Sequence, residues 1–164
     1  MAELPQRKSL RRFDWDYSSP GAYFITITTR FGRDYFGWND GGLLTLSAAG
    51  RMVAATWREI PARFPGARLD SFIVMPNHFH CILWIDPGPC ELRPSIARMI
   101  MAFKSLTTVA YIHGVHECGW PPFVGRLWHR NYHDRIIRSQ EALERIRFYV
   151  EANPQIHARR LSRS

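Results

Sequence analysis

Lysine is scarce in this sequence. Of its 22 Lys and Arg residues only Lys8 and Lys104 are lysines, so nearly all the positive charge sits on guanidinium groups, which fork well onto phosphate oxygens. Cysteine is scarce too. Cys81, Cys90 and Cys118 are odd in number and form no C-x-x-C, which argues against a disulfide framework or a structural zinc and suits a reducing cytoplasm. No run of about 18 uncharged apolar residues exists, which excludes a membrane-spanning helix. The opening MAELPQRKSLRRF lacks the apolar stretch and cleavage site of a secretory signal. Repeats, low-complexity tracts and interdomain linkers are missing as well. The 164 residues therefore read as one domain able to bury its own core.

What is present points to a compact body with basic ends. A hydrophobic fraction of 46% and an aromatic fraction of 13% are globular values and exclude wholesale disorder. The net charge of +8 is uneven. Arg7, Lys8, Arg11 and Arg12 crowd one end, and Arg159, Arg160 and Arg163 the other. Such tails suit a polyanion, although a GC-rich genome would also favour arginine.

Periodicity divides the chain into alternating elements. Residues 22–29 (AYFITITT) follow Pro20-Gly21, are rich in β-branched and aromatic residues, and predict a strand. A turn-rich excursion leads to Asn39-Asp40-Gly41-Gly42. Ser47 is placed to cap a helix running to about Ile60, with Met52, Val53, Thr56, Trp57 and Ile60 inward and Pro61 and Pro65-Gly66 marking its end. Residues 69–75 and 78–85 predict two strands joined tightly at Met75-Pro76-Asn77-His78. Residues 95–113 predict a long helix, 132–138 a fourth strand, and 140–152 a last helix capped by Ser139 and stopped by Pro154. The order β-α-β-β-α-β-α is the ferredoxin-like α+β arrangement: an antiparallel sheet with helices on one face, plus an added C-terminal helix. That fold serves many functions and decides none.

Chemistry concentrates in MPNHFH. In a strand, residues two apart share a face, so His78 and His80 project together and Phe79 points away. Two such imidazoles are either ordinary sheet residues or two ligands of one divalent cation; a third ligand would decide. The last helix offers one. Tyr149 and Asn153 are four apart and share a helical face, so a phenol nucleophile would stand one turn from an amide oxygen able to help hold a cation. Equally, Tyr149 could pack on the sheet and Asn153 simply end a helix. Arg145, one turn before Tyr149, is either a local positive charge for the phenol or a solvated surface residue.

Taken together these motifs resemble the single-tyrosine HUH transposases, specifically the REP-associated tyrosine transposases of bacteria. His78-Phe79-His80 matches the histidine–hydrophobic–histidine signature in its MPNHFH setting. Residues 20–26 (PGAYFIT) resemble the family's opening strand, and Ala102-Phe103-Lys104-Ser105 a segment of its central helix. Residues 127–132 (LWHRNY) are similar to the Trp-Gln-Arg element before the fourth strand, with His129 standing where glutamine is usual. Tyr149 through Asn153-Pro154 matches Tyr-x-x-x-Asn-Pro. The resemblance implies a catalytic domain over residues 20–156, between a basic segment 1–19 and a short basic tail 157–164. It also implies Mg²⁺ or Mn²⁺ held by His78, His80 and Asn153, and Tyr149 as the nucleophile that forms a 5′-phosphotyrosine link to single-stranded DNA.

The implied partners are hairpins formed by repetitive palindromic elements in single-stranded DNA, met in the cytoplasm at the nucleoid. Arg11, Arg12, Lys104, Trp128 and Arg130 are the residues expected to meet DNA; Trp120, Trp128 and Tyr132 are candidates for stacking, with core packing the commoner role of a tryptophan, and Lys104 is either a phosphate contact or a solvated residue. A domesticated hairpin-binding protein without transposition activity is the alternative. Monomer and homodimer both stay open, since in related insertion-sequence transposases the tyrosine helix acts on a partner's histidines. Tyr132, followed by His133, is the rival nucleophile. A base-reading RNA module would carry aromatics where this strand carries histidines, and a two-motif H-x-[ST] phosphoesterase lacks its motifs here.

Overall fold

The computed structural model describes residues 19–89, 91 and 93–161. Its frame is a four-stranded antiparallel sheet built from β1 (Gly21–Thr28), β4 (Ala67–Met75), β5 (His78–Ile85) and β6 (His133–Ile137), in the order β4-β5-β1-β6. This is the expected ferredoxin-like order. The alternation in β1 explains its central place. Tyr23, Ile25 and Ile27 are fully buried on one face, while Phe24, Thr26 and Thr28 point to the other.

Two helices cover the first face: α1 (Ala48–Arg58) and α3 (Ile96–Cys118). Phe79, Cys81 and Leu83 of β5 join Val53, Trp57, Met99, Ile100 and Phe103 in one buried cluster. The rings of Trp57, Phe79 and Phe103 meet at centroid separations of 5.0–5.1 Å, the tilted and edge contacts that aromatic quadrupoles favour. Burial raises the Cys81 thiol well above its ordinary range, so it behaves as a small apolar residue; Cys81 and Cys118 are both free. The second face is covered by α4 (Gln140–Glu151), whose Leu143 and Ile146 pack on Ala22, Phe24, Ile82 and Trp84. Among the described residues no helix is long and apolar enough to cross a membrane.

Ser47 and Ser139 cap α1 and α4 as expected, and Ser95 caps α3, each accepting a hydrogen bond from the backbone N–H three residues on. Three segments depart from the sequence reading. The excursion before Ser47 contains a hairpin, β2 (Gly37–Asp40) with β3 (Leu43–Leu46). Its two-residue turn, Gly41 at φ 57° and Gly42 at φ 100°, needs positive φ at both places, which two glycines supply. Helix α1 stops at Arg58 and a short α2 (Ile60–Arg63) follows, with Pro61 in its first turn. Helix α3 runs five residues past His113. Gly114 lies inside it, where the Trp120 ring occupies the place of a Cβ, and Gly119 at φ 68° closes the helix.

A fourth departure matters most for the site. Pro154 does not end the helical structure. α4 ends at Glu151 with Ala152 as its cap, and α5 (Asn153–Leu161) begins at once with Pro154 in its first turn, where proline loses no intrahelical hydrogen bond. The segment expected as a tail from residue 157 is thus helical through Leu161. The Asn39 amide donates to the Pro154 carbonyl at 2.8 Å, tying the start of α5 to the hairpin.

Candidate active site

β5 places His78 and His80 on the sheet face away from the main core, beside two residues of β1. The register sets Thr28 opposite His78 and Thr26 opposite His80. The turn that launches β5 is held from both sides. The Pro76 carbonyl accepts from Tyr35 and Phe36 N–H at 2.9 and 3.0 Å, and the Asn77 carbonyl from Thr29 N–H at 2.8 Å. His78 therefore leaves a fixed backbone.

Each imidazole is oriented through its Nδ1. That of His78 lies 2.7 Å from Asn77 Oδ1, and that of His80 2.8 Å from Thr26 Oγ1. A carbonyl oxygen can only accept, so His78 Nδ1 carries the proton and its Nε2 lone pair is free. Thr26 allows His80 the same tautomer. His78 Nε2 faces Asn153 Oδ1 at 3.4 Å, long for a hydrogen bond but suited to two donors turned toward one point. Burial, opposed by the Asn153 contact and aided by nearby His157, lowers the His78 pKa. Burial and then His78 push His80 down to about 3. Both rings are thus neutral at physiological pH, the form that ligates a metal. The donor set of two neutral imidazole nitrogens and the buried amide oxygen of Asn153 fits a divalent cation. Among the described residues no group of three His, Cys, Asp or Glu converges.

Tyr149 comes to this place from α4. Its ring stands edge-on to His80 with centroids 5.5 Å apart and edge-on to Phe24 at 6.0 Å, while Phe24 stacks on His80 at 5.5 Å. Thr26, Thr28, His78, His80, Tyr149, Asn153, Ile156 and His157 line one cleft of about 230 Å³. Tyrosine and histidines belong to the same chain. An ion pair between Arg147 and Asp70 of β4, at 2.6 and 2.9 Å, fixes α4 two residues before the tyrosine.

The remaining sequence candidates fall elsewhere. Tyr132 packs on the main core with the Lys104 ammonium 5.5 Å from its ring centroid, and it takes no part in the cleft. Trp128 is a core residue and not a base platform. It is 3% exposed, its indole donates to Thr107 Oγ1 at 2.8 Å, and Phe36 lies against it at 4.9 Å. Trp120 is taken up by Gly114 and Tyr111. Lys104 spends its Nζ on the carbonyls of His129, Arg130 and Asn131 at 2.9–3.4 Å, which fastens the loop before β6. Arg130 is exposed on that loop. Arg145 pairs with Glu141 at 2.8 Å on the surface of α4. Arg11 and Arg12 lie outside the described residues.

Sequence reasoning missed the residues that orient or flank the central four, among them Thr26, Phe24, Asn77 and His157. The first three follow from strand register and from the turn. His157, whose ring is 5.8 Å from that of His78, stands four residues after Asn153 and was legible only to a reading that let the helix restart at Pro154.

No family model matches this sequence. An uncharacterized protein of Haemophilus influenzae is 31% identical over 163 residues, covering 93% of this chain and 91% of its own length. Among solved structures, a REP-associated tyrosine transposase bound to a REP hairpin superposes with a TM-score of 0.63 at 18% identity, over 90% of this chain and 74% of that one. A candidate transposase from Deinococcus radiodurans gives a TM-score of 0.55 at 18% identity, over 86% and 95%. The chain belongs to the family of the Haemophilus protein, and its fold is the one that the REP-associated tyrosine transposase has.

Proposed function

We propose that this protein is a transposase-type DNA strand transferase that cuts and rejoins single-stranded DNA at hairpin-forming repeats through a covalent 5′-phosphotyrosine. The observation that carries the reading is the meeting of Tyr149 with His78, His80 and Asn153 in one cleft. Those residues come from a strand and from two separate helices, and a purely structural tyrosine would need none of the three polar partners. The hairpin held by the structural neighbour supports the choice of DNA form, and the net charge of +8 supports a polyanion.

In this reading His78, His80 and Asn153 would hold Mg²⁺ or Mn²⁺, which supplies Lewis-acid withdrawal of charge from a phosphate oxygen. Asn77 keeps the His78 ring proton on Nδ1 and Thr26 is compatible with the same tautomer at His80, which leaves an Nε2 lone pair on each ring for a ligand. Phe24 and His80 fix the plane of the Tyr149 ring, whose oxygen attacks the scissile phosphorus. A tyrosyl O–P bond forms as the bond to the 3′ oxygen breaks. The phenolic proton leaves, and the 3′ oxygen takes one up and departs as a hydroxyl. Because the ester bond is stored on the enzyme, attack by a 3′-hydroxyl reverses the step and rejoins strands without ATP.

The test is incubation of labelled single-stranded hairpin oligonucleotides from the source genome with Mn²⁺ or EDTA, beside Tyr149→Phe. A metal-dependent covalent adduct on wild type that is absent from the variant is the expected result. Tight hairpin binding with no adduct under any metal would instead identify a domesticated binding protein, and an adduct persisting in Tyr149→Phe would return the role to another tyrosine.

A further inference from the structure

Phe31 is the sole non-glycine residue with positive φ among those described, at φ 61°. A bulky side chain in the left-handed region is strained against its own backbone, and burial of the ring usually compensates. Here it does not, because Phe31 is 71% exposed. Strain of this kind persists where the surroundings over-determine it and clusters at binding sites.

The surroundings are specific. The loop is pinned by Arg30 N–H to the Leu127 carbonyl at 2.9 Å and by Thr29 Oγ1 to the Arg33 carbonyl at 2.8 Å. The Arg30 guanidinium sits 4.6 Å from the Phe31 ring centroid. It backs onto Gly125, where a Cβ would come within 2.4 Å of its Nη1. Beside the ring runs an open groove of about 770 Å³ walled by Arg33, Asp34, Tyr35, Pro121, Pro122 and Val124. Its far wall is fixed as well, since Tyr111 donates to the Pro121 carbonyl at 2.8 Å. The groove adjoins the catalytic cleft: Asn77, which orients His78, also donates to the Gly32 carbonyl at 3.3 Å, and Asp34 acts electrostatically on His78.

We infer that Phe31 is a stacking platform for an unpaired base of the strand engaged in the cleft. This rests on the proposed function and goes beyond it by assigning the track of the single strand next to the site. A base has an aromatic face to lay on an exposed ring, and Arg30 on the opposite face adds cation–π support. Arg33, exposed at the groove, is the partner for the adjoining phosphate. The flat proline walls suit base planes, and Asp34 disfavours a phosphate at the groove's inner end.

Phe31→Gly removes the ring at the one position where glycine relieves strain, so the variant should fold and melt no lower than wild type. The probes are a fluorescein-labelled hairpin with single-stranded thymidine extensions at both ends and the same stem without them. Phe31→Gly should weaken binding of the extended probe by roughly fivefold to a hundredfold, the range of one base–aromatic stack, with the blunt stem unaffected. Its dependence on salt should keep the wild-type slope, whereas Arg33→Gln should lower the log–log slope by about 0.7, as loss of one single-strand phosphate contact does. Phe31→Trp should retain binding, with its added indole emission quenched by the extended probe alone. Wild-type affinity in Phe31→Gly for the extended probe overturns the inference while Tyr149 adduct formation leaves the proposed function standing. A wild type that binds neither probe overturns both. A change in Phe31→Gly from dimer to monomer at unchanged DNA affinity also overturns it, and assigns the ring to contact between copies.

Discussion

Asp70 carries the attachment of the tyrosine helix, and Asp70→Asn tests that attachment. The irregularity in β4 between Leu69 and Phe72 turns the Asp70 carboxylate toward α4. There Oδ1 accepts from Ser71 N–H at 2.7 Å and Arg147 Nε at 2.9 Å, and Oδ2 from Trp84 Nε1 at 2.8 Å and Arg147 Nη2 at 2.6 Å. An amide keeps one oxygen, so two of four donors lose their acceptor and the arginine loses its counter-charge. Hydrogen bonds to a charged group contribute about 1.5–3 kcal/mol each. The Arg147 side chain is 38% exposed against 10% for Asp70, so water screens the pair toward the value of a surface bridge, up to about 1 kcal/mol. Between these bounds Asp70→Asn should cost about 2 kcal/mol, a fall in Tm of roughly 4–8 °C for a chain of this size.

The pH dependence gives the sign an independent check. Arg147, offset in part by burial, and then Trp84 and Ser71 hold the Asp70 carboxyl well below the usual carboxylate range. A carboxylate with a depressed folded pKa contributes stability that is complete above its unfolded value, about 3.9, and is lost as pH falls through the folded one. Urea unfolding should therefore show a constant gap between wild type and Asp70→Asn from about pH 5 to 8, narrowing below about pH 4. A gap under about 0.5 kcal/mol at pH 7, within the range of ordinary surface substitutions, would refute the account. So would a gap that persists unchanged at pH 3.

Trp128→Ala should destabilise by about 3–5 kcal/mol, the usual cost of emptying a buried aromatic site, and leave Thr107 Oγ1 without its indole donor; chemical unfolding measures it, and a cost below about 1 kcal/mol would return Trp128 to the surface. Lys104→Met removes the one ammonium that gathers three loop carbonyls. Those carbonyls lie near water and can be rehydrated, so the cost should be only about 1 kcal/mol, while amide exchange in residues 129–131 should quicken. Burial pushes Lys104 down to about 8, so the ammonium is still the main form at neutral pH but holds its proton less tightly in the fold than in the unfolded chain. The wild type should accordingly gain stability between pH 8 and 10, where the unfolded chain binds the extra proton, and Lys104→Met should lose that part of the gain.

Most of the frame and half of the site were legible because two periods decide them. Alternation alone puts Phe79, Cys81 and Leu83 on one side of β5 and His78 and His80 on the other, and Ser47 and Ser139 announce two helix starts. The 3.6-residue period likewise puts Tyr149 and Asn153 on one side. Period does not say which side of a sheet an added helix will cover, and here that choice creates the cleft: α1 and α3 take the face of Phe79, so α4 can bury Leu143 and Ile146 only on the face that holds the histidines. Trp128 stayed open between stacking and core for the converse reason. A loop residue has no period, and only the depth at which Thr29 bridges to it reveals that it is core. Proline misled in a third way. Pro154 cannot donate to the ladder of α4, yet the same missing N–H is harmless at the start of α5, and its neighbour Asn153 is thereby held at the junction of two helices. At that junction its amide oxygen faces His78 Nε2 at 3.4 Å, while the Tyr149 ring, one turn earlier, stands edge-on to His80 at 5.5 Å.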